Sequence, residues 1–266
     1  MRQTLYLLLA LMATSLLSCS REKTTTEQQE EDTVAKHELQ GVWVNEDGED
    51  AAFRIKGDSV YFPDSTSAPT YFRVERDSFV LQGANVVKYP IAKRTQHLFV
   101  FVNQAGERVR LVKSDDPSYL EQFEQHKAIV QVNQQRTIKR DSVVYHGAQK
   151  YHSYVQVNPT TYKVVVPSYN DEGVEVDNIY YDNIIHVSLF ADDRRIYSSN
   201  LDKKDFAQNV PQQFLSQSVF SDLQLYKADD EGVHYFAVLA VPNSSTSYMV
   251  EVLIGYDGRL SKRVAE

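Results

Sequence analysis

Apolar and polar positions alternate differently in three parts of the chain, and each part predicts a different kind of segment. Residues 5–12 are a single short apolar run behind one charge, Arg2. Residues 20–36 are Thr, Gln, Glu and Lys with almost nothing apolar, a composition that cannot bury enough surface to offset the entropy of folding. From Glu38 the pattern changes again. Gly41-Val42-Trp43-Val44 opens a series of short runs at 53–55, 60–62, 71–74, 79–81, 86–91, 98–102 and 109–112. Turn signals separate them, among them Glu46-Asp47-Gly48, Lys56-Gly57-Asp58 and Asn103-Gln104-Ala105-Gly106. Strands of this length with turns every 8 to 12 residues predict an antiparallel meander. Residues 38–114 are therefore expected to form about eight short strands, curled into a small barrel or a strongly bent sheet.

The pattern breaks at Asp115-Asp116-Pro117-Ser118, which supplies a helix N-cap and a helix-starting proline. Tyr119, Leu120, Phe123 and Lys127 follow at helical spacing. This predicts a connecting helix within 115–136, ending near Ala128. Residues 137–266 return to strands at 143–146, 151–157 and 162–166, then at 184–190 and 195–198 beyond an acidic loop at 168–177. Asn200-Leu201-Asp202 starts a helical element carrying Phe206, Ala207, Val210, Phe214 and Leu215, with Pro211 placed to kink or split it. Final strands fall at 223–227, 235–241, 248–256 and 260–264, with Asp229-Asp230-Glu231-Gly232 and Tyr256-Asp257-Gly258 as turns. The fold class is mainly β, the second half being an α+β module with an antiparallel sheet under one helical element.

Seventeen Tyr and twelve Phe against three Met suit strands better than helices. The formal net charge is −8, and an acidic body argues against nucleic acid as a partner. One cysteine allows no internal disulfide.

That cysteine gives the first segment its meaning. Arg2, the apolar run and then Leu16-Leu17-Ser18-Cys19 have the order of an export signal, and the last four residues resemble the lipobox of bacterial lipoproteins. The resemblance implies a signal peptide over 1–18, cleavage before Cys19 and a thioether-linked diacylglycerol on Cys19, with palmitate completing a stable anchor. Residues 19–37 are then a lipidated cysteine and a disordered tether, averaging roughly 20 to 25 Å end to end. Ser20 stands where the sorting rule of Gram-negative lipoproteins uses Asp for inner-membrane retention. The resemblance thus implies the outer membrane, with the body facing the periplasm or the outside.

Two further resemblances lie in the body. Gly41-Val42-Trp43 resembles the first strand of lipocalin-like barrels, which would imply a ligand cavity, although so small a barrel is expected to be filled by its own side chains. Tyr180-Tyr181-Asp182-Asn183-Ile184, then Val187-Ser188-Leu189-Phe190 and Asp205-Phe206-Ala207, resemble a family of domains of unknown function numbered 4738, over about residues 140–266. That resemblance carries no activity and no catalytic residues.

The sequence contains none of the motifs of familiar hydrolases, kinases or metalloproteases. The acidic groups Asn45-Glu46-Asp47-Gly48-Glu49-Asp50 and Asn170-Asp171-Glu172-Gly173, with Glu175 and Asp177, could offer hard oxygen ligands to Ca²⁺, but such groups are also what tight turns require. His146 and His152 could share a face only on an unbroken strand, and Gly147 interrupts it. His186 and His234 are expected to lie on the surface or to pack in sheets. No cofactor and no metal is implied. Tyr145, Tyr151, Tyr154, Tyr162, Tyr169, Tyr180 and Tyr181 are dense in one stretch. Cross-strand packing is their first reading, and a platform for a glycan or an extended peptide is the second.

These observations predict a membrane-anchored, non-catalytic envelope lipoprotein with a protein or glycan partner. Trp43, Tyr145, Tyr151, Tyr154, Tyr162, Tyr180 and Tyr181 are its candidate binding residues, and Cys19 is its attachment point. The alternatives are a glycan-active or other hydrolase with a carboxylate and tyrosine site, or a purely structural protein.

Overall fold

The computed structural model describes residues 31–46, 50–64, 66–124 and 136–264. The expected signal segment, Cys19 and most of the expected tether lie outside the described residues. So do Asp47, Gly48, Glu49 and the expected helix end at Ala128.

The meander closes. Strands β1 (Gly41–Asn45), β2 (Ala51–Lys56), β3 (Ser59–Tyr61), β4 (Thr70–Glu75), β5 (Ser78–Gln82), β6 (Val86–Arg94), β7 (Leu98–Val102) and β8 (Arg108–Ser114) pair antiparallel in chain order. β1 returns to β8, Val42 opposite Ser114 and Asn45 opposite Leu111. The period of two turns Trp43, Phe53, Phe72, Phe79, Tyr89, Phe99 and Phe101 inward, each fully buried. Most of their rings meet edge-on or tilted, Phe79 to Phe99 at 5.4 Å and Phe99 to Phe101 at 5.2 Å between centroids, while Phe53 stacks on Phe79. Eight strands enclose a space that large side chains can fill, and here aromatic rings fill it. The interior is a packed core.

Helix α1 (Thr33–Glu38) covers one end of the barrel. The side chain of Asp32 caps it by accepting from the Ala35 N–H at 2.8 Å. Ala35 and Leu39, four residues apart on one face, are both fully buried in the barrel core. Trp43 Nε1 donates to the Leu39 carbonyl at 2.8 Å, and the Asp32 N–H donates to the Val74 carbonyl. The last part of the expected tether is thus part of the fold, which is already ordered at Glu31. Mean composition over 20–36 concealed the helical spacing of Ala35 and Leu39.

Helix α2 (Pro117–Glu124) starts at the expected proline. It packs Tyr119, Leu120 and Phe123 on the outside of the barrel against Val42, Val44 and Ala51.

The second half holds two sheets where one was expected. β9 (Ile138–His146), β10 (Gln149–Tyr169), β11 (Glu175–Ala191) and β12 (Arg194–Leu201) form the first, and β13 (Val219–Ala228), β14 (Val233–Ala240), β15 (Ser247–Ile254) and β16 (Leu260–Val264) the second. Val155, Val157, Ile185, Val187 and Leu189 of one face Leu223, Tyr235, Leu239, Val250 and Val252 of the other in a common core. The expected single helical element is two short pieces, a 3-10 turn at Lys203–Phe206 and helix α3 (Gln212–Gln217). A capping box between Asp202 and Asp205 starts the first, and Pro211 divides them. Phe206, Val210 and Leu215 join the sandwich core.

β10 and β11 are 21 and 17 residues long. They run as one hairpin from Tyr151 opposite Ala191 to Tyr169 opposite Glu175, with an irregularity between Pro159 and Lys163. The expected loop at 168–177 is strand at both ends, with the turn confined to 170–174, and its tip docks on the barrel. Val174 and Val176 are buried in the barrel core. The Glu175 N–H donates to the Tyr89 hydroxyl at 2.8 Å, and Ala84 N–H to Asp177 Oδ2 at 2.6 Å. Gly173 has φ +67°, and a Cβ there would fall 2.6 Å from Asn103 Nδ2, so the tip needs glycine both for its turn and for its close approach. The described residues form one compact unit.

Candidate functional site

The docked hairpin makes a cleft of about 750 Å³ against the barrel. Asn45 and Asp50 reach it from the ends of the β1–β2 connection, Phe62, Asp64 and Thr66 from the β3–β4 connection, and Gln122 from α2. Tyr169, Asn170, Asp171, Glu172 and Asn178 come from the hairpin. The two acidic groups of the sequence therefore meet at one place. Asn45 Nδ2 donates to Glu172 Oε1 at 2.7 Å across 127 positions of sequence.

Many of the polar groups here are already held. Asp64 Oδ1 accepts from Thr66 N–H at 2.9 Å and Ser67 N–H at 2.6 Å, which shapes its loop. Thr66 Oγ1 donates to Asn178 Oδ1 at 2.7 Å and Asn178 Nδ2 to Ser168 Oγ at 2.7 Å. Asn170 Oδ1 accepts from Val174 N–H at 2.9 Å, closing the hairpin tip. Gln122 Oε1 accepts from Ala51 N–H at 3.1 Å. Of the two acidic groups, Asn170 thus builds a turn, the second of the two readings given to them. Asp171 and the ring of Tyr169 stand exposed at the cleft. No Lys or Arg is among the described lining residues, and the carboxylates of Asp50, Asp64, Asp171 and Glu172 give the cleft a negative field.

The structure divides the candidate binding residues. Trp43, Tyr151 and Tyr180 are interior. Trp43 fills the barrel, Tyr151 stacks on Tyr256 at 4.6 Å, and the Tyr180 hydroxyl accepts from Asn243 Nδ2 at 2.8 Å. All three are packing residues, because their strand positions face a core. Tyr154 and Tyr181 are half-buried, the former donating to Gln156 Oε1. Tyr145 and Tyr162 are exposed at 63% and 62%. The tyrosine stretch is thus not one platform, and of its seven members Tyr169 alone lines the cleft.

Two polar clusters escaped the sequence reading. On the outer face of the first sheet, His186 Nε2 lies 2.8 Å from Ser188 Oγ and Nδ1 lies 2.8 Å from Asn200 Oδ1. This is the order of a nucleophile, a base and an orienting amide. It stands on a sheet, though, where β11 is paired on both sides with β10 and β12. Its backbone amides are committed to the ladders, leaving no pair aimed at a developing oxyanion. The group is a cross-strand hydrogen-bond ladder.

The second cluster lies at the β13–β14 turn. His234 is fully buried, with Nδ1 2.5 Å from Glu251 Oε1 and Nε2 2.8 Å from Asp229 Oδ1. The Lys227 ammonium, and after it the His234 ring, hold the Asp229 carboxyl well below its usual range. The Arg263 guanidinium, with His234 adding to it against the opposing effect of burial, brings Glu251 down to about 2. Only strand register brings Glu251 to His234, and no local spacing announces it.

A family model described as a domain of unknown function (DUF4738) matches residues 118–262. The match takes in most of α2, both sheets and the hairpin that docks on the barrel. No curated protein matches the chain.

Proposed function

We propose that this chain, which belongs to the DUF4738 family of domains of unknown function, is a non-catalytic binding module of the cell envelope, anchored in the outer membrane through lipid on Cys19. Its ligand site is the cleft between barrel and hairpin. The observation that carries this reading is the convergence of Asn45, Asp50, Asp171 and Glu172 on one concave surface, with the exposed ring of Tyr169 beside them. The filled barrel leaves the lipocalin type of internal ligand without room.

The lining selects a ligand rich in hydroxyls. Carboxylates and side-chain amides accept and donate in the plane of their groups, which suits neighbouring hydroxyls of a sugar, and an exposed tyrosine ring offers a face for the apolar side of the ring. A negative cleft rejects anions. The ligand class is therefore a neutral or amine-bearing saccharide. The body from Ser20 onward is expected to be retained on immobilised N-acetylglucosamine polymer and not on a sulfated polysaccharide; the reverse order overturns the reading.

Hydrolysis of the same ligand is the second reading, favoured by the carboxylates of Asp50, Asp64, Asp171 and Glu172 in one cleft. Release of reducing ends by the wild-type chain, abolished in Asp171→Asn, would replace binding with catalysis.

The anchor has its own test. Labelled palmitate is expected to enter the wild-type chain and not Cys19→Ala, and unaltered labelling of the variant would remove the lipoprotein from the account.

A further inference from the structure

Independently of the cleft, we propose that Asp229, Glu231 and His234 form a binding site for a divalent metal ion of the zinc class, with Glu251 positioning the imidazole. Ligand atoms of the first three lie within 4.8 Å of one another. One imidazole and two carboxylates, with water completing the shell, form a donor set that zinc accepts. The imidazole favours zinc or another late first-row ion over Ca²⁺ and Mg²⁺, which take oxygen.

The setting of His234 suits a metal ligand. It has no exposed surface, yet neither ring nitrogen faces an apolar group. Each ring nitrogen instead meets a carboxylate oxygen. A metal ion takes the place of the direct contact between Nε2 and Asp229, while Nδ1 stays with Glu251. A carboxylate on the far nitrogen fixes the ring and raises its basicity as a ligand. Glu251 is fixed in turn by Arg263, whose Nε donates to Oε2 at 2.6 Å.

The carboxylate side is equally prepared. Lys227 engages Asp229 Oδ2 at 2.7 Å, while Oδ1 faces the imidazole and accepts from the Glu231 N–H at 3.0 Å. The turn beneath is tied by a hydrogen bond and close packing. The Tyr256 hydroxyl donates to the Asp229 carbonyl at 2.7 Å, and a Cβ on Gly232, at φ +151°, would fall 2.3 Å from the Ile254 carbonyl oxygen. Glu231 is exposed and meets Arg263 at 3.7 Å, a loose contact that an ion can displace.

The test is calorimetric titration of Zn²⁺ into the chelator-treated body from Ser20 onward, repeated with Glu231→Gln, Asp229→Asn and Glu251→Gln. Wild type is expected to take up one equivalent. Each variant is expected to bind at least tenfold more weakly, and Glu231→Gln, an exposed change, should melt at the wild-type temperature in chelator. No saturable uptake by wild type, or uptake of equal affinity in Glu231→Gln and Asp229→Asn, overturns the proposal.

Discussion

The backbone N–H of Glu175 donates to the hydroxyl of Tyr89 at 2.8 Å, joining the long hairpin of the second half to the sixth strand of the barrel. On either side of Glu175, Val174 and Val176 complete the barrel core. The barrel and the family domain therefore share apolar surface and should unfold together.

The single tryptophan makes this measurable, because Trp43 lies in the barrel and Val174 in the hairpin. Val174→Asp places an unpaired charge in the barrel core and should cost several kcal/mol. The denaturation midpoint read from Trp43 fluorescence is expected to fall with it. An unshifted Trp43 transition would mean that the hairpin tip adds nothing to the barrel.

Alkaline pH should loosen the same junction. Burial pushes the Tyr89 hydroxyl up to about 12, and burial does the same to Tyr235, whose hydroxyl donates to Ser153 Oγ. A tyrosine of ordinary pKa near 10 in the unfolded chain loses its proton first, so the unfolded state releases protons that the folded state retains. The stabilisation is complete below about pH 10 and is lost as pH rises toward 12. Denaturant midpoints measured between pH 8 and pH 12 should fall over that interval, and Tyr89→Phe should flatten part of the fall.

Trp43→Ala should destabilise the barrel by about 3 to 5 kcal/mol, the cost of emptying a large buried aromatic site. Chemical denaturation followed by circular dichroism measures it. A change below about 1 kcal/mol would place the indole outside the core.

Asp32→Ala removes the cap of α1 and should cost about 1 kcal/mol, read as a fall in melting temperature. An unchanged melting temperature would return residues 31–38 to the tether.

The barrel was legible because its strands are short and its turns carry Gly, Asp and Asn at regular spacing, so local signals coincide with the tertiary ones. The long hairpin was not. Pro159, Thr160 and the acidic residues around Asn170 look like loops in sequence, and pairing across Tyr169 and Glu175 supplies what local propensity lacks. The same gap hid the cleft. Both acidic groups were visible, but only docking of the tip brings Asn45 to Glu172. The tyrosine stretch misled for a related reason, since alternation says which residues share a face and not which face is covered. Tyr151 and Tyr154, three apart on β10, lie on opposite sides of its sheet.

The central claim is that the cleft binds a hydroxyl-rich ligand, and calorimetric titration of the body with N-acetylglucosamine oligomers tests it most directly. Saturable binding is predicted for the wild-type chain, weakened at least tenfold by Asp171→Lys and by Tyr169→Ala, both exposed changes that leave the fold intact. Absence of binding, or equal affinity in all three proteins, would contradict it.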